Sequence, residues 1–310
     1  MIEYTINTQS RLRLFLYKKQ SSYDKIPFVY MRYLTLRNGV KIPQLGFGTY
    51  KANDKGEGVA VIKTALSVGY RLIDTAQVYA NEDMVGQAIK ESGIPREEIF
   101  ITTKLRFRDH DNPIPKLEES FKKLGVDYID LVLIHWPYGN YYHAYKVLEE
   151  YYKQGRIKAI GVSNFEPSRL IDLIHNCEIH PMVNQIEANV YAQRWEEKKW
   201  FDKYGVAIMA YAPLGHGVLP DLLNDPILKE IAEKHGKTPA QIALKFVMDR
   251  EMIIIPKSSN AQRIKENFDI LDFELSEEEM NKIIALDKQY PIIGRPEDPV
   301  IVEKMYAKNE

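Results

Sequence analysis

The chain has 310 residues, 45% of them hydrophobic and 27% charged, and its 42 lysines and arginines nearly match its 43 aspartates and glutamates. That balance excludes a disordered chain, and it excludes a net field that would draw the protein to nucleic acid or an anionic membrane. No apolar run is long enough for a membrane helix. Cys177 is the single cysteine, so no intrachain disulfide forms and a reducing, cytoplasmic setting fits best. At the end of Leu173-Ile174-His175-Asn176-Cys177 it reads as a structural helix-end residue rather than a nucleophile.

Residues 1–30 carry Arg11, Arg13, Lys18, Lys19 and Lys25 around a short apolar patch at 14–17. The patch is too short for a secretory signal, no small-residue cleavage site follows, and Glu3 and Asp24 are out of place in a transit peptide. This stretch is expected to be an extension outside the folded domain, partly disordered or lying on the surface. From Met31 onward a different pattern takes over. Leu34-Thr35-Leu36 and Val40-Lys41-Ile42 flank Arg37-Asn38-Gly39, which predicts a β-hairpin with an Asn-Gly turn. Short apolar runs at 44–48, 71–74, 99–104, 128–134, 157–162, 182–186, 207–210 and 252–255 then predict eight strands. Amphipathic segments between them, such as 58–67, 115–124, 142–154, 167–174 and 195–204, predict helices. Regular alternation of this kind gives a parallel sheet with right-handed crossovers, and eight units point to a closed (β/α)8 barrel. Residues 31–310 are expected to form that one barrel domain. The hairpin would close its bottom. The longer loop at 214–223 and the tail after Leu286 would shape the mouth.

Four reactive side chains fall at the ends of successive predicted strands. Asp74 ends the second, and Tyr79 follows it in Asp74-Thr75-Ala76-Gln77-Val78-Tyr79. Lys104 ends the third in Ile101-Thr102-Thr103-Lys104-Leu105, and His135 ends the fourth in Leu133-Ile134-His135-Trp136-Pro137. Each alone has an ordinary explanation as a cap, a solvated charge, loop packing or a core histidine. Together they converge on the face where barrels keep their catalysis. A phenol has an ordinary pKa of about 10, and the neighbouring Lys104 ammonium is expected to lower it. Asp74 would hold Lys104 charged, Tyr79 would donate a proton near neutral pH, and His135 would orient a substrate carbonyl. No Gly-x-Gly-x-x-Gly opens a helix after a strand, which disfavours a Rossmann domain. The seven histidines form no metal-ligand spacing.

These same stretches, with Gly161-Val162-Ser163-Asn164-Phe165, Asn184-Gln185-Ile186-Glu187, Ala210-Tyr211-Ala212-Pro213-Leu214-Gly215 and Ile255-Pro256-Lys257-Ser258, resemble the signature segments of the aldo-keto reductases. The similarity runs in order from Met31 to about Asp287. It is strongest to bacterial-type members described as diketogulonate or small aldehyde reductases. The resemblance implies NADPH-dependent reduction of a carbonyl, with Asp74, Tyr79, Lys104 and His135 as the catalytic tetrad. It implies that Ser163, Asn164 and Gln185 bond the nicotinamide carboxamide and that Tyr211 stacks on its ring. Backbone around Leu214 and Gly215 would lie over the pyrophosphate. Lys257, Ser258 and Arg263 would hold the 2′-phosphate, a dianion that such groups bind through charge-assisted bonds, and Glu266 and Asn267 would touch adenine. Where the family frequently has Ser, this chain has Ala212.

The resemblance also implies that Tyr50 and Trp136 line the substrate pocket. Where many bacterial-type members have tryptophan after Thr-Lys-Leu, this chain has Arg106. That side chain either attracts an anionic group on the substrate or points to solvent while Phe107 fills the space. The short connection at Tyr138-Gly139-Asn140 predicts a rather open mouth. Members of this kind are commonly monomers. Two rival readings remain: a non-catalytic, cofactor-binding regulatory member of the same superfamily, and a barrel isomerase or hydrolase that uses no nicotinamide.

Overall fold

The computed structural model describes residues 31–307 apart from 53, 54, 220, 290, 292 and 294. The extension expected over 1–30 lies outside the described residues. Strands β1 (Tyr33–Thr35) and β2 (Lys41–Pro43) pair antiparallel with Leu34 opposite Ile42. The Asn38 side chain closes the turn by accepting the Val40 N–H. Asn38 Nδ2 also donates to the Lys158 carbonyl, and Arg32 pairs with Asp249 at 2.6 Å. Both partners stand at the N-terminal entrances of barrel strands, so the hairpin covers the bottom.

Eight parallel strands form the barrel: β3 (Phe47–Gly48), β4 (Leu72–Asp74), β5 (Phe100–Leu105), β6 (Ile129–Ile134), β7 (Ile157–Ser163), β8 (Val183–Glu187), β9 (Ala207–Tyr211) and β10 (Ile253–Ile254). Each pairs with its neighbour in sequence. A bridge between Leu45 and Ile254 joins the ends, with Gly46 N–H on the Ile254 carbonyl and Ile254 N–H on the Gln44 carbonyl, each 2.8 Å. At this seam the expected strands 44–48 and 252–255 shrink to two residues each. The Gln44 side-chain amide donates to the Met248 and Met252 carbonyls and ties the two ends of the seam together.

Helices α1 (Lys55–Val68), α2 (Glu82–Ser92), α3 (Pro113–Leu124), α4 (Tyr141–Lys153), α5 (Pro167–Asn176) and α6 (Trp195–Lys203) connect successive strands up to β9. Then α7 (Pro226–His235) and α8 (Pro239–Asp249) lead into β10, and α9 (Ala261–Phe268), α10 (Glu277–Ile284) and α11 (Pro299–Ala307) follow it. Local signals set several of these starts. Proline occupies the first turn of α3, α5, α7 and α8, and complete capping boxes open α8 (Thr238 with Gln241) and α10 (Ser276 with Glu279). Every residue of β4, β5 and β8 is buried, as parallel strands covered on both faces require.

Strand β7 shows how tightly the barrel is filled. A Cβ on Gly161 would lie 2.4 Å from the Val183 carbonyl oxygen and 2.8 Å from Leu133 Cδ2. Gly161→Ala must therefore push β7 from β8 or displace a core leucine. We expect a loss of about 1–3 kcal/mol, read as a lower urea midpoint with the same circular dichroism at zero urea. An unchanged midpoint would mean the strands part more easily than this packing allows.

Candidate active site

The barrel brings its reactive side chains to one mouth because each strand ends at the same level. Asp74 is the last residue of β4, Lys104 the fifth of β5, and His135 follows β6 directly. Lys104 is wholly buried and Asp74 is 2% exposed. Lys104 Nζ donates to Asp74 Oδ2 at 2.7 Å and to the Thr75 carbonyl at 2.8 Å, and it lies 3.4 Å from the Tyr79 hydroxyl oxygen. The second Asp74 oxygen accepts from Gln185 Nε2 at 2.7 Å across the barrel. Tyr79 is carried by a single 3-10 turn, Gln77–Tyr79, whose end is set by Ala80 in the left-handed region at φ 53°. The Tyr79 ring stands edge-on to Tyr50 (5.0 Å between centroids) and to His135 (6.0 Å). The structure thus brings Asp74, Tyr79, Lys104 and His135 together.

Electrostatics assign each group a resting state. Burial, and then the Asp74, Tyr211 and Tyr50 groups, push the Tyr79 phenol well above its ordinary value. The sequence argument expected Lys104 to lower it, and the direction is reversed because Asp74 neutralises the Lys104 charge and the pocket is dry. The phenol therefore keeps its proton at neutral pH. Lys104 Nζ, 3.4 Å from that oxygen, is placed where negative charge on it could be compensated. Burial, then the Lys104 charge, then His110 hold the His135 imidazole well below its usual range. It is neutral at pH 7, and its Nδ1 is buried without a partner. A neutral imidazole can bond a carbonyl oxygen without competing for the transferred proton.

The next strands supply a second set. The Ser163 hydroxyl donates to the Gln185 carbonyl at 2.9 Å, and Asn164 Nδ2 donates to the His135 carbonyl at 3.1 Å. Asn164, at φ 61°, accepts the Tyr211 hydroxyl proton on Oδ1 at 2.8 Å. Ser163, Asn164, Gln185 and Tyr211 thus form one connected wall beside the tetrad. Leu214 and Gly215 follow it on the loop after β9. Beyond β10, a Cβ on Gly48 would lie 3.6 Å from Lys257 Cβ, so Lys257 flanks the end of β3, two residues before Tyr50. Burial, then Lys51 and Arg263, lower the Lys257 pKa. Among the described residues none of these three cations has an ion-pair partner. Ser258 is buried beside them and accepts the Asn260 N–H. Asn267 is buried one helical turn on, and Glu266 accepts the Thr238 hydroxyl proton at 2.8 Å. Clustered cations that repel one another fit a polyanionic ligand.

Arg106 is engaged elsewhere. Its Nε and Nη2 bond both carboxylate oxygens of Asp109 at 2.9 and 3.2 Å, while Phe107 is buried. Phe107 fills the space as in the second expectation, while Arg106 is held by Asp109 rather than pointing freely to solvent. This pairing leaves Arg106 on the wall of a polar cleft of about 120 Å³ with Gln77, Glu82 and Lys116. Trp136 stacks between His135 and Tyr138 (5.7 Å and 8° to Tyr138).

Sequence reasoning passed over Lys51 and His216. The His216 ring lies 5.3 Å from Tyr50, and its pKa is lowered by burial, then by Lys51 and Lys257. The available signals were the adjacency of Lys51 to Tyr50 and the glycines on either side of His216. It also passed over α11. Tyr306 packs on Phe107 and Tyr138 and accepts the Gly139 N–H, while Arg108 donates to the Met305 and Tyr306 carbonyls. Tyr138 donates to the Pro296 carbonyl. The short Tyr138-Gly139-Asn140 connection is therefore covered on one flank by the chain's own tail.

A buried lysine–carboxylate pair behind a protonated phenol is an arrangement able to move a proton, and cations without an ion-pair partner among the described residues suit an anionic group. Such a barrel is an oxidoreductase that works with a dinucleotide. Residues 44–288 match the model of the Aldo/keto reductase family. The chain is 43% identical over 268 residues to the 9,11-endoperoxide prostaglandin H2 reductase of Trypanosoma cruzi, covering 86% of this chain and 95% of that protein. It is 42% identical to the glyoxal reductase of Bacillus subtilis (85% and 95% covered) and 41% identical to the methylglyoxal reductase of Escherichia coli (82% and 93%). A solved aldo-keto reductase from a Medee basin deep-sea metagenome library superposes with a TM-score of 0.82 at 41% identity, covering 86% and 98% of the two chains. A Bombyx mori aldo-keto reductase solved in complex with NADP gives 0.81 at 36% identity, covering 88% and 97%. The chain belongs to the aldo/keto reductase family. It is an NADP-dependent oxidoreductase that reduces aldehydes or ketones, which displaces the nicotinamide-free isomerase or hydrolase and the non-catalytic regulatory member.

Proposed function

We propose that this chain reduces small aldehydes, with α-dicarbonyls foremost, and that Tyr79 gives the proton. NADPH, when bound, supplies the hydride to the carbonyl carbon. The chain's own residues do the rest. His135 bonds the carbonyl oxygen and places it against the Tyr79 hydroxyl. As the carbon receives hydride, the oxygen becomes basic and takes the Tyr79 proton, and Lys104 compensates the phenolate until solvent returns a proton. The observation that carries this reading is Lys104 Nζ placed between Asp74 Oδ2 and the Tyr79 hydroxyl. Tyr50 and Trp136 supply apolar walls suited to a compact substrate. The names of the glyoxal and methylglyoxal reductases among the relatives support the choice of substrate class.

Ser163, Asn164, Gln185 and Tyr211 hold the nicotinamide end in this reading, and Leu214 and Gly215 cover the pyrophosphate. Lys257, Ser258 and Arg263 take the 2′-phosphate, and Glu266 and Asn267 border the adenine. One barrel domain over 31–310, with residues 1–30 outside it, belongs to the same reading. So does a monomer in the cytoplasm without a nucleic-acid partner. No helix among the described residues is long and apolar enough to cross a membrane.

The test is NADPH consumption with methylglyoxal, glyoxal, simple aldehydes and keto sugars, compared with NADH. Turnover should require NADPH and rank the dicarbonyls first. Lys257→Met should raise KM for NADPH about 10–100-fold, the worth of a charge-assisted bond, and leave KM for NADH within about twofold. Equal effects on both cofactors would remove Lys257 from the 2′-phosphate site.

A further inference from the structure

We propose that Gln185 is a positioning residue for proton transfer: its side-chain amide holds Asp74 ionised, and through Asp74 and Lys104 it sets the state of Tyr79. Two donors divide the buried carboxylate. Lys104 takes Oδ2 at 2.7 Å from β5, and Gln185 takes Oδ1 at 2.7 Å from β8, on the opposite side of the barrel and 111 residues away. Gln185 is itself fixed. Its Nε2 lies 2.9 Å from Met209 Sδ, its carbonyl accepts the Ser163 hydroxyl and the Asn164 N–H, and 2% of the residue is exposed.

The remaining groups that face this cluster cannot do the same work. From β5 comes Lys104, already spent on the other oxygen. From the 3-10 turn comes Tyr79, which reaches Lys104 rather than Asp74. His135 after β6 is neutral, and Tyr211 at the end of β9 donates to Asn164. Tyr50, after β3, packs its ring on Tyr79. Burial works against the charged carboxylate, while Lys104 and Gln185 favour it. If Gln185 is removed, Asp74 takes a proton from solvent at a higher pH, and Lys104, still charged, loses the carboxylate that fixes its Nζ 3.4 Å from the Tyr79 oxygen.

The inference rests on Tyr79 as proton donor, so one arm of its test is independent of turnover. In cofactor-free protein labelled with 13Cγ-aspartate, and assigned with Asp74→Asn, the Asp74 titration midpoint should rise by about one to two pH units in Gln185→Met. That is the worth of a hydrogen bond to a charged group. The second arm is the pH profile of kcat at saturating NADPH. In Gln185→Met the acid limb should move upward by the same amount, so activity climbs with pH. Gln185→Glu should show the opposite slope. While protonated, the new carboxyl donates to Asp74 and restores the contact. Once ionised, it faces a second carboxylate and activity falls as pH rises. If both variants raise KM for NADPH but leave the Asp74 midpoint and the acid limb where they are in wild type, Gln185 serves the nicotinamide alone and the proposal is overturned. A shifted Asp74 midpoint with no change in the kcat profile would separate the two claims: Gln185 would hold Asp74, and Tyr79 would not be the donor.

Discussion

Tyr79→Phe lowers kcat for carbonyl reduction by about 10²–10⁴-fold, the usual worth of a positioned general acid, while NADPH binding stays within about twofold. The substitution removes one oxygen and keeps the ring. The ring contacts with Tyr50 and His135, at 5.0 and 6.0 Å, therefore survive, and so does the Lys104–Asp74 pair. What is lost is the hydroxyl 3.4 Å from Lys104 Nζ. Because burial keeps the phenol well above its ordinary pKa, the wild-type enzyme should lose no activity to Tyr79 ionisation between neutral pH and about pH 9. The measurement is steady-state kinetics with a separate fluorescence titration of NADPH. A variant with near-normal kcat would transfer the donor role to His135.

Lys104→Met should damage stability as well as rate. It strands Asp74, 2% exposed, beside an apolar side chain. Breaking one side of a buried pair costs about 3–5 kcal/mol. The sign of the pH dependence follows from Asp74. Its carboxyl is already raised by burial in the wild type, and without Lys104 it rises further. The folded variant then binds a proton that the unfolded chain has released. Its deficit against wild type is small near the unfolded carboxyl pKa of about 3.9, and it grows as pH climbs through the folded value. Urea unfolding at acid and neutral pH reads this directly. Adding Asp74→Asn to Lys104→Met should recover much of the stability and none of the activity, which separates the two roles of the pair. Single variants as stable as wild type at neutral pH would show that the pair is not dry.

How much of this was legible in the sequence depends on how local each cause is. The strands β4 to β9 and the tetrad were readable because a parallel strand is one apolar run and its reactive residue sits at the end of that run. The seam at Gln44 and Ile254 was not, since it is closed by bonds between residues more than 200 apart in the chain. Arg106 left two readings open for a simple reason. A cation near a substrate pocket invites an anionic ligand, yet its partner Asp109 stands three residues on, a spacing that could have been weighed. The α11 contact runs from Arg108 to Tyr306 and depends on Phe107 and Tyr138 lying together on the folded surface, so no pattern along the chain announces it. The sign of the Tyr79 shift failed for the most general reason. Sequence shows which charges are neighbours but not that the pocket is dry, and burial outweighs Lys104 once Asp74 has cancelled it.

The central claim is that hydride passes from one face of the nicotinamide to a carbonyl held against Tyr79. The most direct measurement uses NADPH carrying deuterium at C4 in one configuration or the other, with methylglyoxal as acceptor and mass spectrometry of the alcohol. With Tyr211, whose hydroxyl is bonded to Asn164, against one face of the ring as proposed above, only the other face would be open. The account predicts one deuterium in the product from one labelled isomer and none from the other. Deuterium from both isomers, or from neither while NADPH is consumed, would contradict it.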